Sequence, residues 1–471
     1  MTKNYDVIII GAGPSGHSAA VRISQLGGRV AIIERDFVGG ICTNWGCTPS
    51  KAMIESAKVA QEVKDSEKYG IKVQNYHIDF PSVANRRDQV VLNTRHSIEH
   101  LLKSHHVDIF QGEAVIDDPK TIIVKFGKLD PDGFTMHYSG EEETLKTKNI
   151  IIATGSRPLI PSFLDKNDPT MVSSNRLITI RELPETLTIV GGGVIGMEFA
   201  TIFSNLGSKV TVVELLDRVL AGFDSEISAE ITQILEDKGV KILTGHKVLS
   251  IKDGVLAVQN QATQELIELE SELNLIAIGR EAVLNIEMWQ KCGLKFDRHG
   301  IDVNDYLQTN IPGIWSIGDA TGKSILAHVG IQQGIICAEN IMSTPENYRK
   351  MDYSVIPAVI YSIPEIVSVG IVPDPAPDIQ IIKVPFDVNL RANIEYHSQG
   401  FIKLWIRDKK ILAAQTIGHN VSEIMQEVTN MIALATNIED VSEIIHAHPS
   451  YGEIIRSSLD YALNKAVDFT L

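Results

Sequence analysis

One short pattern occurs twice in this chain, and it dictates a nucleotide-binding architecture. Residues 6–16 read Asp-Val-Ile-Ile-Ile-Gly-Ala-Gly-Pro-Ser-Gly, and residues 187–196 read Leu-Thr-Ile-Val-Gly-Gly-Gly-Val-Ile-Gly. Each apolar run predicts a strand. Each G-x-G-x-x-G then opens an apolar-periodic stretch that predicts a helix, over 17–26 and 197–206. Gly27 and Gly207 end those helices, second strands follow over 29–33 and 209–213, and a glutamate comes next, Glu34 or Glu214. The interval from first glycine to glutamate is the same in both. In such a unit Gly11 and Gly191 permit a tight turn. Gly13 and Gly193 let the backbone approach a pyrophosphate, and Gly16 and Gly196 let helix and strand pack closely. The helix N-terminus offers N–H donors to the phosphates, and the glutamate accepts from ribose hydroxyls. One such motif is a weak signal. Two in matched context predict two βαβ dinucleotide-binding units.

The second informative stretch is Gly39-Gly40-Ile41-Cys42-Thr43-Asn44-Trp45-Gly46-Cys47-Thr48-Pro49-Ser50-Lys51. Two cysteines in a glycine-rich loop beside a cofactor fingerprint point to a redox couple that exchanges with a thiol substrate. The chain has 471 residues and only 4 cysteines, too few for a disulfide scaffold. A reducing, cytoplasmic setting is expected, with Cys292 and Cys337 as packing residues. The net charge of −16 argues against nucleic-acid and anionic-membrane partners. No stretch approaches the ~18 apolar residues of a membrane span. No His and Cys spacing suggests a metal site.

A thiol with an ordinary pKa of about 8.5 is a poor nucleophile at neutral pH and needs a base. His446-Ala447-His448 offers two imidazoles on one face of an extended segment, and spacing alone does not choose between them. A carboxylate behind such a ring can fix its tautomer and orientation. Glu214 would repel a 2′-phosphate, which favours NAD over NADP, although Arg218 lies four residues on. Trp45, between the two cysteines, is expected to re-line the approach to the sulfurs. A helical stretch is expected over 51–104, and a polar surface excursion over 125–147. Strand exits follow at 153–158 and 277–280, and a strand running into a turn lies at 311–320. The last ~120 residues alternate strand-like and helical runs, as in a separate α+β domain.

Taken together, these motifs resemble the pyridine nucleotide-disulfide oxidoreductases with two-cysteine active sites, and among them most the dihydrolipoyl dehydrogenases. The resemblance rests on both fingerprints, GGxCxNxGCxPSK at 39–51, ATGSxP at 153–158, GDA at 318–320, LAH at 326–328, PFxxNxRA at 385–392 and HxHPxxxE at 446–453. It implies an α/β fold with two Rossmann-like domains and a C-terminal α+β dimerisation domain. The implied parts are an FAD domain over 1–150, an NAD domain over 151–274, a return to the FAD domain over 275–348, and the dimerisation domain over 349–471. It implies FAD at Gly11, Gly13, Gly16, Glu34, Lys51, Gly112, Ala114, Thr154, Gly155, Asp319 and Ala327. It implies NAD at Gly191, Gly193, Gly196, Glu198, Glu214, Val248 and Gly279, with Lys51 and Glu198 paired beside the flavin. Cys42 and Cys47 become a redox disulfide, with Cys42 facing substrate and Cys47 facing flavin. His448 becomes the base, oriented by Glu453 and reaching the cysteines of the other protomer of a homodimer. The implied reaction is dihydrolipoamide plus NAD⁺ to lipoamide plus NADH, with a lipoylated carrier domain of a 2-oxoacid dehydrogenase or glycine-cleavage complex as partner. The alternatives are a reductase of another disulfide or of mercuric ion, and a non-catalytic flavin-binding component. Thr43, Trp45, Thr48 and the Ser450-Tyr451-Gly452 segment depart from the dihydrolipoyl dehydrogenase pattern.

Overall fold

A computed structural model describes residues 3–129 and 136–470. The first fingerprint folds as β1 (Asn4–Ile10), α1 (Pro14–Gln25) and β2 (Val30–Glu34). Helices α2 (Gly40–Trp45), α3 (Cys47–Asp65) and α4 (Phe80–Ser104) follow, then strands β3 (Asp108–Asp118), β4 (Thr121–Leu129) and β5 (Met136–Ile152). β1 pairs in parallel with β2 on one side, register Val7↔Val30, and with β5 on the other, register Ile8↔Ile150. The strand Ile314–Ser316 adds to β5, again in parallel. Ile8, Ile9, Ile32 and Ile151 are fully buried, as expected for parallel strands covered on both faces.

Both fingerprint helices begin one turn earlier than expected, at Pro14 and Val194. Proline is tolerated there because the first N–H of a helix has no intrahelical partner. The helical stretch after the cysteines is broken in two. Gly70, at φ +77, ends its first half, and Asp79 caps α4 by accepting from the Ser82 N–H at 3.2 Å. The polar excursion over 125–147 is largely strand, since β4 and β5 form a hairpin. Its residues 130–135 lie outside the described residues.

The second fingerprint builds a separate five-stranded parallel sheet. Its strands run in the order Lys241–Leu243, Lys209–Val213, Thr186–Val190, Leu273–Ile276, Met171–Ser173. The helix Val194–Leu206 packs on it, and a three-stranded antiparallel sheet over 246–270 shares a core with Val190, Val213 and Ile276 at the ends of its three central strands. The chain enters this domain at Ser156–Pro158 and leaves it at Arg280–Ala282. These two segments pair antiparallel, Ser156↔Ala282 and Pro158↔Arg280, in a two-stranded ribbon. The expected boundaries at 150 and 274 both fall inside strands, because β5 runs on to Ile152 and the inserted sheet's strand to Ile276. The C-terminal part is a five-stranded antiparallel sheet over 358–418. Its core joins Val369, Phe386 and Leu404 to Met425 and Ile455 of the helices Val421–Ala433 and Glu453–Ala462.

Candidate active site

The two glycine loops have nearly the same geometry. Gly11 and Gly191 hold φ of +103 and +111, a region open to glycine at little cost. A Cβ at Gly16 would lie 2.0 Å from the Gly11 carbonyl oxygen, and one at Gly196 1.9 Å from that of Gly191. Gly13 and Gly193 are the N-caps, and neither helix takes a side-chain cap among the described residues. The first-turn N–H groups therefore face a cradle suited to a pyrophosphate, so both loops fit a dinucleotide. Glu34 accepts from the Ala12 N–H at 2.7 Å and the Asp36 N–H at 2.9 Å. Glu214 does the same with Gly192 at 2.6 Å and Leu216 at 2.8 Å. Each carboxylate thus braces its own loop and retains lone pairs for ribose hydroxyls. Burial holds the Glu34 carboxyl above its ordinary value. Arg218 donates to the Ala221 carbonyl at 3.0 Å and pairs with Asp217 at 3.6 Å, so its charge is spent on its own loop.

The cysteine segment roofs the first loop. Gly39 donates to the Ala12 carbonyl at 2.9 Å, and a Cβ at Gly40 would lie 2.7 Å from the Gly13 Cα. Asn44 holds the turn through the Val38 and Gly40 carbonyls, and Arg95 of α4 donates to Asn44 at 2.7 Å. The Arg95 guanidinium also lies 3.6 Å from the Phe37 ring centroid, and Trp45 packs on the far neighbour of this stack at 6.2 Å from Phe37. Trp45 is half-buried against the second domain's core, which gives it a packing role.

Gly46 breaks the backbone between α2 and α3, so that Cys42 sits on one helix and Cys47 opens the next. Neither cysteine is bridged in this structure. The two thiols act on each other, and unequally. The Cys42 hydrogen bond and then the Lys51 cation bring Cys47 down to about 7, against burial and the Glu198 charge. The same bond, with burial, pushes Cys42 well above the ordinary thiol range. Of the two, Cys47 is the more readily ionised. Lys51, one turn along α3, pairs with both Glu198 oxygens at 3.0 Å.

Several of the residues expected beside the flavin meet where the chain crosses between domains. Thr154 donates to the Val283 carbonyl at 3.0 Å, and Gly155 and Gly279 have φ of +73 and +134 with open space at their Cβ positions. Asp319 accepts from the Ser156 hydroxyl at 2.5 Å. Burial raises its carboxyl, while Ser156 and Arg280 oppose that shift. Arg280 in turn donates to the Ser156 hydroxyl and carbonyl, each at 2.8 Å. Ser156 and Arg280 were present in the two strand exits, but no spacing rule joins segments 124 residues apart. Ala327 opens the helix Ala327–Ile341. Three expected contacts offer main chain only. Gly112 lies under the Lys125 carbonyl of β4, Ala114 is in the core, and Val248 is buried in the core between the second domain and its attached sheet.

The two histidines are separated by their partners. His446 bonds the Ile444 carbonyl and Glu427 through its two nitrogens, each at 3.1 Å. His448 bonds Glu453 through Nδ1 at 2.8 Å, and the other Glu453 oxygen accepts from the Ser450 N–H at 2.7 Å. The His448 side chain is 65% exposed. Among the described residues no hydrogen bond joins His448 to Cys42 or Cys47 within one chain.

Residues 5–334 match the family model for pyridine nucleotide-disulphide oxidoreductases, and residues 356–459 match that family's dimerisation domain. The chain is 36% identical to a dihydrolipoyl dehydrogenase of Geobacillus stearothermophilus, covering 98% of this chain and 97% of that one. It is 35% identical to a dihydrolipoyl dehydrogenase of Chlamydia pneumoniae, covering 100% and 99%. Among solved structures, the Cu(II) complex of the HOCl-induced flavoprotein disulfide reductase RclA from Escherichia coli superposes with a TM-score of 0.85. It has 26% identity over 98% of this chain and 100% of that one. No helix among the described residues is long and apolar enough to cross a membrane. Enzymes of this kind work with FAD and a pyridine nucleotide, and the two loops above fit that pair. With both parts of the chain matched and full-length relatives above 30% identity, the chain belongs to the pyridine nucleotide-disulphide oxidoreductase family.

Proposed function

We propose that the enzyme oxidises dihydrolipoamide with NAD⁺. The observation that carries this reading is the placement of the two cysteines, Cys42 on α2 and Cys47 opening α3 beside the Lys51–Glu198 pair, at the roof of the first nucleotide loop. In the oxidised couple, a substrate thiolate attacks Cys42 Sγ, breaks the Cys42–Cys47 bond and releases Cys47 as thiolate. The second substrate sulfur then displaces Cys42. The substrate leaves as a disulfide, and the pair is left as a dithiol. His448 accepts the substrate proton at Nε2, and Glu453 fixes its tautomer. Because His448 is exposed and makes no bond to its own cysteines, it serves the partner protomer of a homodimer. FAD, held by the first loop with Asp319 and the Lys51–Glu198 pair, supplies the two-electron carrier between dithiol and nicotinamide. Glu214, with Arg218 engaged elsewhere, favours NAD. A lipoylated carrier domain is the partner and the cytoplasm the location.

A second reading, reduction of another disulfide or of a metal ion such as mercuric, draws on the likeness to RclA. Steady-state turnover with lipoamide, glutathione disulfide, Hg²⁺ and Cu²⁺, each under NADH and NADPH, separates the two. Rapid lipoamide-linked turnover with NADH, abolished in C42S and in C47S, is expected. Turnover with a metal ion and none with lipoamide would sink the first reading.

A further inference from the structure

Lys51 is held from two sides. Glu198 takes its charge, and the face of Tyr361 lies 4.4 Å from its Nζ. Tyr361 follows the strand Ala358–Ile360 at the start of the C-terminal domain, and its main-chain N–H donates to Glu198 Oε1 at 3.0 Å. One residue therefore touches both members of the pair, the anion through its backbone and the cation through its ring. The Lys51 ammonium is left only partly in water, with 35% of its side chain exposed. An ammonium on a ring face is better held as water is removed. The groups that act electrostatically on Cys47 or respond to it come from five places: Cys42 on α2, Lys51 on its own helix, Glu198 on the second fingerprint helix, Arg280 on the crossing ribbon and Tyr361.

We propose that Tyr361 is a positioning residue for the dithiol: it holds the Lys51–Glu198 pair so that the Lys51 cation faces Cys47. The inference deepens the dithiol reading above and rests on it. It gives the C-terminal domain a hand in the acidity of a thiol in the first domain, through the Lys51–Glu198 pair, with Tyr361 bonded to a Glu198 that lies 163 residues before it. The ring supplies a face, so phenylalanine serves as well as tyrosine. Leucine keeps the main-chain bond to Glu198 and loses the hold on Lys51. The lysine is then free to turn toward solvent, and Cys47 loses the cation one turn along its own helix.

The test uses the flavin-loaded protein with C42S, which leaves Cys47 as the single thiol of the pair and prevents bridging. Its ionisation is followed in two ways across pH: by the long-wavelength thiolate–flavin absorbance band, and by the rate of iodoacetamide alkylation at Cys47 read by peptide mass. Added Y361L raises the midpoint by roughly half a unit to one unit, about a three- to tenfold fall in the thiol's acid dissociation constant. Added Y361F leaves the midpoint in place. K51M also raises it, and Y361L then adds nothing, because the ring acts through the lysine. A Y361L midpoint equal to its parent's, a Y361F shift as large as that of Y361L, or an undiminished Y361L shift on top of K51M would each overturn the proposal. Failure of the flavin reading looks different. The absorbance band would then be missing already in C42S, and the alkylation midpoints would still decide the role of Tyr361.

Discussion

The two glycine loops share a backbone but not their surroundings. The first is closed over: Gly40 is pressed against Gly13, Gly39 bonds the loop, and Glu34 is only 8% exposed. The second stands open. A Cβ at Gly193 would meet nothing within 4 Å, and Val194, Leu215 and Leu216 around it are 41%, 55% and 52% exposed. The βαβ unit thus supplies the phosphate cradle, and the segment that follows decides how long a ligand stays. Roofed by the cysteine segment, the first loop suits a resident cofactor next to the dithiol. The uncovered loop suits a nucleotide that arrives and leaves at every turnover.

The harshest test of this contrast is a methyl group at each third glycine. Both G16A and G196A drive a Cβ to about 2 Å from a carbonyl oxygen, an overpacking that costs on the order of 3 kcal/mol. G16A is expected to yield protein without flavin absorbance. G196A keeps its flavin and fails to bind NADH in a fluorescence titration; loss of flavin from G196A as well would break the contrast. Next in size is the roof. G40A places a side chain at φ +57 and 2.7 Å from Gly13 Cα, and should speed flavin release about 10- to 100-fold, or ~1–3 kcal/mol. G193A, in open space, should leave the melting temperature within about 2 °C.

A smaller effect separates the two glutamates. E214Q can accept from one of its two N–H partners but not from both as a charge, and should raise the Kd for NADH roughly tenfold. The smallest concerns pH. Burial raises Glu34 above the ordinary 4.5, so the folded state holds its proton longer than the unfolded one. The stability this contributes is complete below pH 4.5 and is lost as pH rises through the folded value. Melting temperatures of wild type minus E34Q should therefore fall with rising pH in that window. A flat or rising difference would show that the first loop is not as dry as its geometry indicates.

Much of this was legible in the chain because it is local. Each fingerprint is a run of neighbours, and the steric role of Gly16 and Gly196 follows from the turn they sit in. The cysteine segment is likewise contiguous, although the break at Gly46 between two helices shows only in the structure. What was hidden depends on distant segments meeting. Ser156 and Arg280 reach Asp319 only once the inserted domain has folded between them, and Tyr361 reaches Glu198 from another domain. The choice between His446 and His448 was closed to spacing because alternation sets both on one face. It opened when Glu427, on a separate helix, was seen to take the first. The halves of the stretch over 51–104 are divided by Gly70 and Asp79, residues whose effect shows only when the chain has somewhere to turn.

The ribbon of Ser156–Pro158 against Arg280–Ala282 has a consequence for ancestry and engineering. A module whose doorway and exit are adjacent rungs of one ladder can be removed, and the host chain spliced across the gap, without re-threading any strand of the sheet that flanks it. Nested assembly of this sort lets one ancestral unit be copied into itself, and it marks residues 159–279 as a cassette that could be traded for a version with another nucleotide taste.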